Sequence, residues 1–306
     1  MVGDPATSIS NGQPLGVLST VPIHPLPFVR AIEHVRPMRG GSQPHLMRCS
    51  DGHYYVVKFA NNPQGLRILA NEYLAGRLGK LLGLPCPEIC VLETKEELVR
   101  LTTALSIQWP YGGYPVAAGL AFGSQFPSRR YGANRMLLSV VELSQASRLG
   151  RVENLSDLMG ILMFDKWTSN IDSRQILCLP RPSKHRRTYR LYMIDNGFCF
   201  GGCDWGFKDS PLRGLYLDIA IYSAVQNLDA LGPWLERLET RVTLGELSKI
   251  VEDVPQSWFK DDLDQFRELV NCLYERKRIV PALIQQTLTA LNNWTSRRLA
   301  RVAGAV

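Results

Sequence analysis

The sequence contains no apolar run of the about 18 residues needed to cross a bilayer. It also does not open on a basic region followed by an apolar stretch and a small-residue cleavage site. No membrane-spanning helix or secretory leader is therefore expected, and the cytoplasm is the expected compartment. The seven cysteines include no CxxC pair. Cys86 with Cys90 and Cys199 with Cys203 have too few cysteines or histidines near them to suggest a zinc site, so reduced structural thiols are the reading. No internal repeat is present. Acidic residues are outnumbered, 28 against 35 basic ones, for a formal charge of +7, which points to an acidic partner. The cations concentrate in RPSKHRRTYR (Arg181–Arg190), a run without an acid. No aromatic-interleaved recognition motif surrounds it. It reads as a solvated hairpin tip, and nucleic acid is not an expected partner.

What is present is an ordinary globular composition: 306 residues, 45% hydrophobic and 21% charged. Such a chain can bury a large core and is long enough for two domains or lobes. Residues 1–27 carry Pro5, Pro14, Pro22, Pro25 and Pro27 among Gly and Ser, which predicts an extended or disordered arm. The folded part is expected from Phe28. FVRAIEHV reads as a strand, PMRGGSQPH as a loop and YYVVKFA as a second strand ending near Phe59, together a hairpin. Leu66, Leu69, Tyr73, Leu74, Leu78, Leu81 and Leu82 stand at helical spacing, with Gly83 and Pro85 as stop signals.

EICVLE reads as a further strand, followed up to about residue 135 by an ambiguous stretch rich in Gly, Pro and Tyr, in which GLAFGSQF is a candidate for one more strand. After RMLLSVVEL, the segment NLSDLMGILMFDKWT is apolar nearly all round and predicts a buried helix, with Asn154 or Ser156 as N-cap. QILCL and YRLYMI then read as two strands joined by the basic tip. Residues 211–306 are expected to be mostly helical, with stops at Gly232, Pro255 and Pro281.

Four signals converge on one chemistry. Consecutive glycines between strands let backbone amides approach a polyphosphate; RGGSQ supplies Gly40, Gly41, Ser42 and Gln43, although a plain hairpin turn would use the same residues. Lys58 stands in VVKF, where its neighbours demand burial, and a buried ammonium needs an anion or a route to solvent. Glu72 follows on the helix among Leu69, Tyr73 and Leu74. A strand lysine paired with a helix glutamate is how protein kinases hold the α- and β-phosphates of ATP. A snorkelling lysine and a solvated glutamate are the bland alternatives.

Phosphoryl transfer also needs an acid to receive or orient the nucleophile's proton, and oxygen ligands for Mg²⁺. FDKWTSNIDSRQILCL offers two frames, Asp165 with Asn170 or Asp172 with Gln175. Gln175 directly abuts the strand QILCL, whereas Asn170 lies well before it. The second frame is therefore preferred: Asp172 as base, Gln175 as metal ligand, Asn170 as a loop-shaping or substrate-side amide, and Asp165 with Lys166 as the helix end. Asp195, in MIDNG, is the expected principal Mg²⁺ carboxylate.

These residues resemble a known family, the bacterial branch of the HipA-like kinases. The resemblance is carried by RGGSQPHLMRCSDGHYYVVKFANNPQG, LANEYLAGRLGKLLGLP, GLAFGSQF, FDKWTSNIDSRQ and MIDNGFCFGG, in that order, with PLRGLY and VPQSWF further on, from about Phe28 to Arg278. It implies an α+β, two-lobed atypical kinase, distantly similar to type II phosphatidylinositol 4-kinases, with ATP between the lobes. The expected division is an arm at 1–27, a small β-rich N-lobe with one main helix at 28–126, and a mostly helical C-lobe at 127–306. By the same matching Lys58 is the ATP lysine, Glu72 its partner, Asp172 the catalytic aspartate and Asp195 the metal ligand. The glycine loop is short for the family, and Gln175 replaces the more usual Asn at a changed spacing. The expected activity is ATP- and Mg²⁺-dependent transfer to a serine or threonine hydroxyl of a protein substrate. The alternatives are a lipid or small-molecule kinase and a module that holds nucleotide without transfer.

Overall fold

The computed structural model describes residues 29–126, 143, 150–181, 188–225, 228–259 and 262–303. The proline-rich arm and Phe28, residues 135–142 of RMLLSVVEL, and positions 182–187 of the basic tip lie outside the described residues.

Five strands close into a barrel: β1 (Val29–Pro37), β2 (His45–Cys49), β3 (Tyr54–Lys58), β7 (Gly119–Phe126) and β4 (Ile89–Thr94), in that spatial order. All neighbours are antiparallel except β1 and β4, whose parallel pairing through Val29 with Leu92 closes it. The two-residue period of a strand decides what fills the barrel. Met47 and Cys49, Tyr55 and Val57, Leu92 and Ala121 point inward and share one core. The alternate residues Val56, Lys58, Phe122 and Ser124 face outward onto a cavity.

The glycine-bearing loop joins β1 to β2, not to YYVVKFA as the sequence suggests. β2 escapes a pattern reading because HLMRC is neither β-branched nor alternating, yet the barrel interior buries it. The stretch read as ambiguous holds a short helix, α2 (Glu96–Leu101), and a hairpin of β5 (Ser106–Trp109) with β6 (Gly112–Pro115).

Helix α1 (Arg67–Leu82) ends as its sequence predicts. Gly83 takes the left-handed conformation at φ 77°, and the amides of Gly83 and Leu84 donate to the carbonyls of Lys80 and Gly79. Helix α3 (Asp157–Trp167) is buried from Leu158 to Trp167. Its expected cap is not made: the Ser156 side chain accepts no capping bond, and Asn154 instead receives the Leu191 amide at 2.9 Å. After it come the hairpin β8 (Gln175–Arg181) and β9 (Thr188–Ile194), then the helices α4 (Leu228–Arg241), α5 (Leu244–Glu252), α6 (Leu263–Arg276) and α7 (Val280–Ala303). Of the expected helix stops, Pro255 falls just past α5 and Pro281 opens α7. Gly232 does not stop α4, which runs through both Gly232 and Pro233. Those two residues lie on its exposed side, while Leu231, Trp234 and Leu238 are buried in the main core, so burial of one face outweighs the local break. No described helix is long and apolar enough to cross a membrane.

Candidate active site

Strand β3, helix α1 and the end of β9 bring three charged groups together. Lys58, only 7% exposed, donates to Glu72 Oε1 and to Asp195 Oδ1 at 2.8 Å. The second carboxyl oxygen of Glu72 accepts the Asn196 amide at 3.0 Å. Burial works to strip Lys58 of its proton, but Glu72 and Asp195 overcome it and raise its pKa above the usual lysine range. Burial raises Glu72 against the pull of Lys58. At Asp195 burial also works upward, but Lys58, with help from Arg174, holds the carboxyl below its ordinary value. Two carboxylates against one ammonium make a setting that favours a further cation.

Asp195 has φ 59°, in the left-handed region, where a residue other than glycine is strained and where such strain clusters at functional sites. Gln175, the first residue of β8, pairs with Ile194 across the hairpin and donates through Nε2 to Asp195 Oδ2 at 2.6 Å.

Lys58, Glu72, Gln175 and Asp195 line one cavity of about 560 Å³. Val56, Ile89, Phe122, Leu177 and Ile194 give it an apolar wall, and Arg36, Arg39, Gly40 and Ser42 form its rim on the glycine-loop side. Gly40 has φ 144°, a conformation that glycine adopts without strain. Among the described residues the backbone amides of Gly41 and Ser42 have no hydrogen-bond partner. Gln43 faces elsewhere: its side chain donates to the Gln108 carbonyl and accepts the Gln108 amide, both at 2.7 Å, so it fastens the loop to the β5–β6 hairpin.

The segment between α3 and β8 divides sharply. Asp172 is exposed and, like Asn170, is not among the cavity-lining residues. Its own amide donates to Asn170 Oδ1 at 3.2 Å. Asn170 is buried and donates to Asp165 Oδ1 at 3.0 Å, a loop-shaping set of contacts. Asp165 is 1% exposed and paired with Arg174, which withdraws it from any substrate.

Two residues central to this arrangement are not singled out by sequence reasoning. Arg174 links Asp165 to the backbone of Ile194 and Asp195. Asn71, fully buried on α1, donates to the carbonyls of Gly197 and Gly202 and accepts from Trp205, fixing the chain that follows Asp195. Asn71 had one available signal: an amide inside a helix face otherwise apolar.

No metal-binding group of three or more His, Cys, Asp or Glu occurs among the described residues. Asp195 supplies one hard oxygen donor, and Gln175 would supply a second once its amide turned its oxygen toward the site, the kind of set Mg²⁺ accepts when substrate phosphates and water complete its shell. The unpartnered amides, the cavity size and Lys58 fit a nucleotide polyphosphate beside it.

Comparison with known proteins gives one family match and several distant structural likenesses. A model of the family described as HipA-like kinase matches residues 31–178, a span that holds Lys58, Glu72, Asp172 and Gln175. No curated protein sequence matches significantly. Among solved structures the chain is similar to the Helicobacter pylori proinflammatory kinase CtkA, at 12% identity and a TM-score of 0.44, over 82% of this chain and 99% of that one. It is also similar to HipA of Shewanella oneidensis, solved with HipB and operator DNA, at 10% identity and a TM-score of 0.49, over 83% and 65%. A Golgi casein kinase with bound Mn and ADP aligns at 13% identity and a TM-score of 0.36, over 85% and 72%. Residues 31–178, just under half of the chain, match the HipA-like kinase family, and by this match the chain is a kinase.

Proposed function

We propose that the chain is an ATP- and Mg²⁺-dependent serine/threonine protein kinase, with the barrel and α1 as its small lobe and the helical remainder as its large one. The observation that carries this reading is the buried Lys58–Glu72–Asp195 cluster opening onto a cavity that the glycine-loop residues Gly40 and Ser42 also line. In this reading Lys58, held in place by Glu72, binds the α- and β-phosphates, and the Gly40–Ser42 backbone donates to the phosphates from above. The apolar wall of Val56, Phe122, Leu177 and Ile194 takes the base. Asp195 and the Gln175 carbonyl hold Mg²⁺, which supplies charge neutralisation at the phosphates. Gln175 reaches this role by a turn about its last side-chain bond, exchanging Nε2 for Oε1 at the metal.

Asp172 is proposed as the base that orients the acceptor hydroxyl. Its exposure supports an acceptor arriving from solvent, and the enclosure of Asp165 favours the Asp172 frame over the Asp165 one. The cytoplasm is the proposed compartment, in keeping with seven unpaired cysteines. Incubating the protein with γ-labelled ATP, Mg²⁺ and a cell lysate tests the reading. Label on serine or threonine of a protein is the expected result. Label on lipid would overturn the choice of acceptor, and no transfer at all would overturn the activity.

A further inference from the structure

Asp165 does not touch the cavity, yet both acid-bearing loops are fastened through it. On one side it accepts Asn170 Nδ2 at 3.0 Å, and the same Asn170 accepts the Asp172 amide at 3.2 Å. On the other side it pairs with Arg174, whose Nε lies 3.0 Å from Asp165 Oδ2. The far end of that guanidinium donates to the carbonyls of Ile194 at 2.7 Å and Asp195 at 3.3 Å, and to Asn196 Oδ1 at 2.9 Å. Both side chains of the pair are 0% exposed. One buried carboxylate thus organises the loop of Asp172 through Asn170 and the turn of Asp195 through a single arginine.

Two physical considerations say what such a pair is for. A fully buried ion pair is weak evidence for stability, because apolar partners of similar volume often replace it without loss. A guanidinium, by contrast, is a rigid planar fork that fixes the direction of several acceptors at once. Here three of those acceptors belong to residues 194–196, where Asp195 sits at φ 59°. A left-handed aspartate persists only when its surroundings over-determine it. Arg174 on its carbonyl side and Lys58 on its carboxylate side do so.

We infer that Asp165 and Arg174 are positioning residues that hold the Asp172 loop and the Asp195 turn in mutual register, so that loss of the pair impairs the acids and not the nucleotide grip. The inference rests on the proposed roles of Asp195 as metal ligand and Asp172 as base. It also gives the Asp165–Asn170 frame a use: the spacing serves the architecture of the site instead of its chemistry.

The test is calorimetric titration of ATP with and without Mg²⁺, alongside label turnover, for the wild type, Arg174→Lys and the double variant Asp165→Leu/Arg174→Met. The double variant removes both buried charges together, so its fold is expected to survive, checked by circular dichroism and melting. Its affinity for ATP without Mg²⁺ should stay within about twofold of wild type, since Lys58, Glu72 and the glycine loop are untouched. The strengthening of ATP binding by Mg²⁺ should fall by about tenfold or more. Turnover should fall by about a hundredfold, the scale of a displacement of roughly 1 Å at a reacting centre. Arg174→Lys keeps the charge and loses the fork, and should show the same loss of coupling in milder form. A merely structural pair would shift the melting temperature and leave the coupling alone. A folded double variant, or Arg174→Lys if the double variant does not fold, with wild-type Mg²⁺ coupling and turnover overturns the inference while leaving the roles of Asp195 and Asp172 standing. A wild-type protein whose ATP binding ignores Mg²⁺ overturns the site reading and the inference together.

Discussion

Lys166 shows how much the electrostatics of a single residue depends on its enclosure. It follows Asp165 at the end of α3 and donates to the carbonyls of Ser210 at 3.1 Å, Pro211 at 2.8 Å and Arg213 at 2.6 Å. Burial pulls its pKa down to about 8 from the usual 10.5, against the opposing pull of Asp165 and Asp209. Between those two values the unfolded chain carries the proton and the folded one does not, so through this group stability rises with pH across that window. Urea unfolding from pH 8 to pH 10 should therefore show wild type gaining on Lys166→Met by roughly 1–3 kcal/mol, at up to about 1.4 kcal/mol per pH unit. Parallel stability curves for the two proteins would contradict this. The same scale shows what a sequence can say about a site. Lys58 between Val57 and Phe59, and Glu72 among leucines, are legible because a charge in an apolar setting requires a partner. Arg174 is not legible, since in SRQ it is one polar residue among others. Its importance comes from its reaching Asp165 near the end of α3 and the Ile194 and Asp195 carbonyls at the end of β9 at once, which no local pattern encodes.

At the scale of elements, α1 is legible end to end because period and stop signals agree, and the candidate strand GLAFGSQF spans β7. Strand β2 is not legible, because its residues are selected by burial in the barrel and not by propensity, and the β5–β6 hairpin is not, because it is short, mostly exposed and without an alternating pattern. Helix α4 is a third case, in which Gly232 and Pro233 signal a break and the buried face of Leu231, Trp234 and Leu238 overrides it. Helices α3 and α4 meet so closely at one point that a testable consequence follows. A Cβ added at Gly160 would stand 2.5 Å from two ring atoms of Trp234, which is a rigid, 7% exposed neighbour. In an open helix Gly→Ala stabilises by about 1 kcal/mol. Gly160→Ala should instead destabilise by roughly 1–3 kcal/mol, the usual cost of overpacking a core. A thermal or denaturant midpoint at or above wild type would show that Trp234 moves aside and that the α3–α4 contact is looser than described.

On the scale of the whole molecule, α1 is where the barrel and the helices join. Arg67 reaches Asp262, Arg77 reaches Asp253 at 2.6 Å, and Asn71 holds the segment after Asp195, so Glu72 is presented to Lys58 by a helix anchored on both sides. In the proposed reading, nucleotide binding needs Asp195 for the metal, whereas transfer needs Asp172 as well. The measurement that separates these roles most directly is Mg²⁺-dependent ATP binding and label transfer in Asp195→Asn and Asp172→Asn, side by side. Asp195→Asn should lose Mg²⁺-dependent binding and transfer together. Asp172→Asn should bind Mg²⁺ and ATP as wild type does and turn over about a hundredfold or more slowly, the scale of a lost positioned base. Full turnover in Asp172→Asn, or unchanged Mg²⁺-dependent binding in Asp195→Asn, would contradict the account.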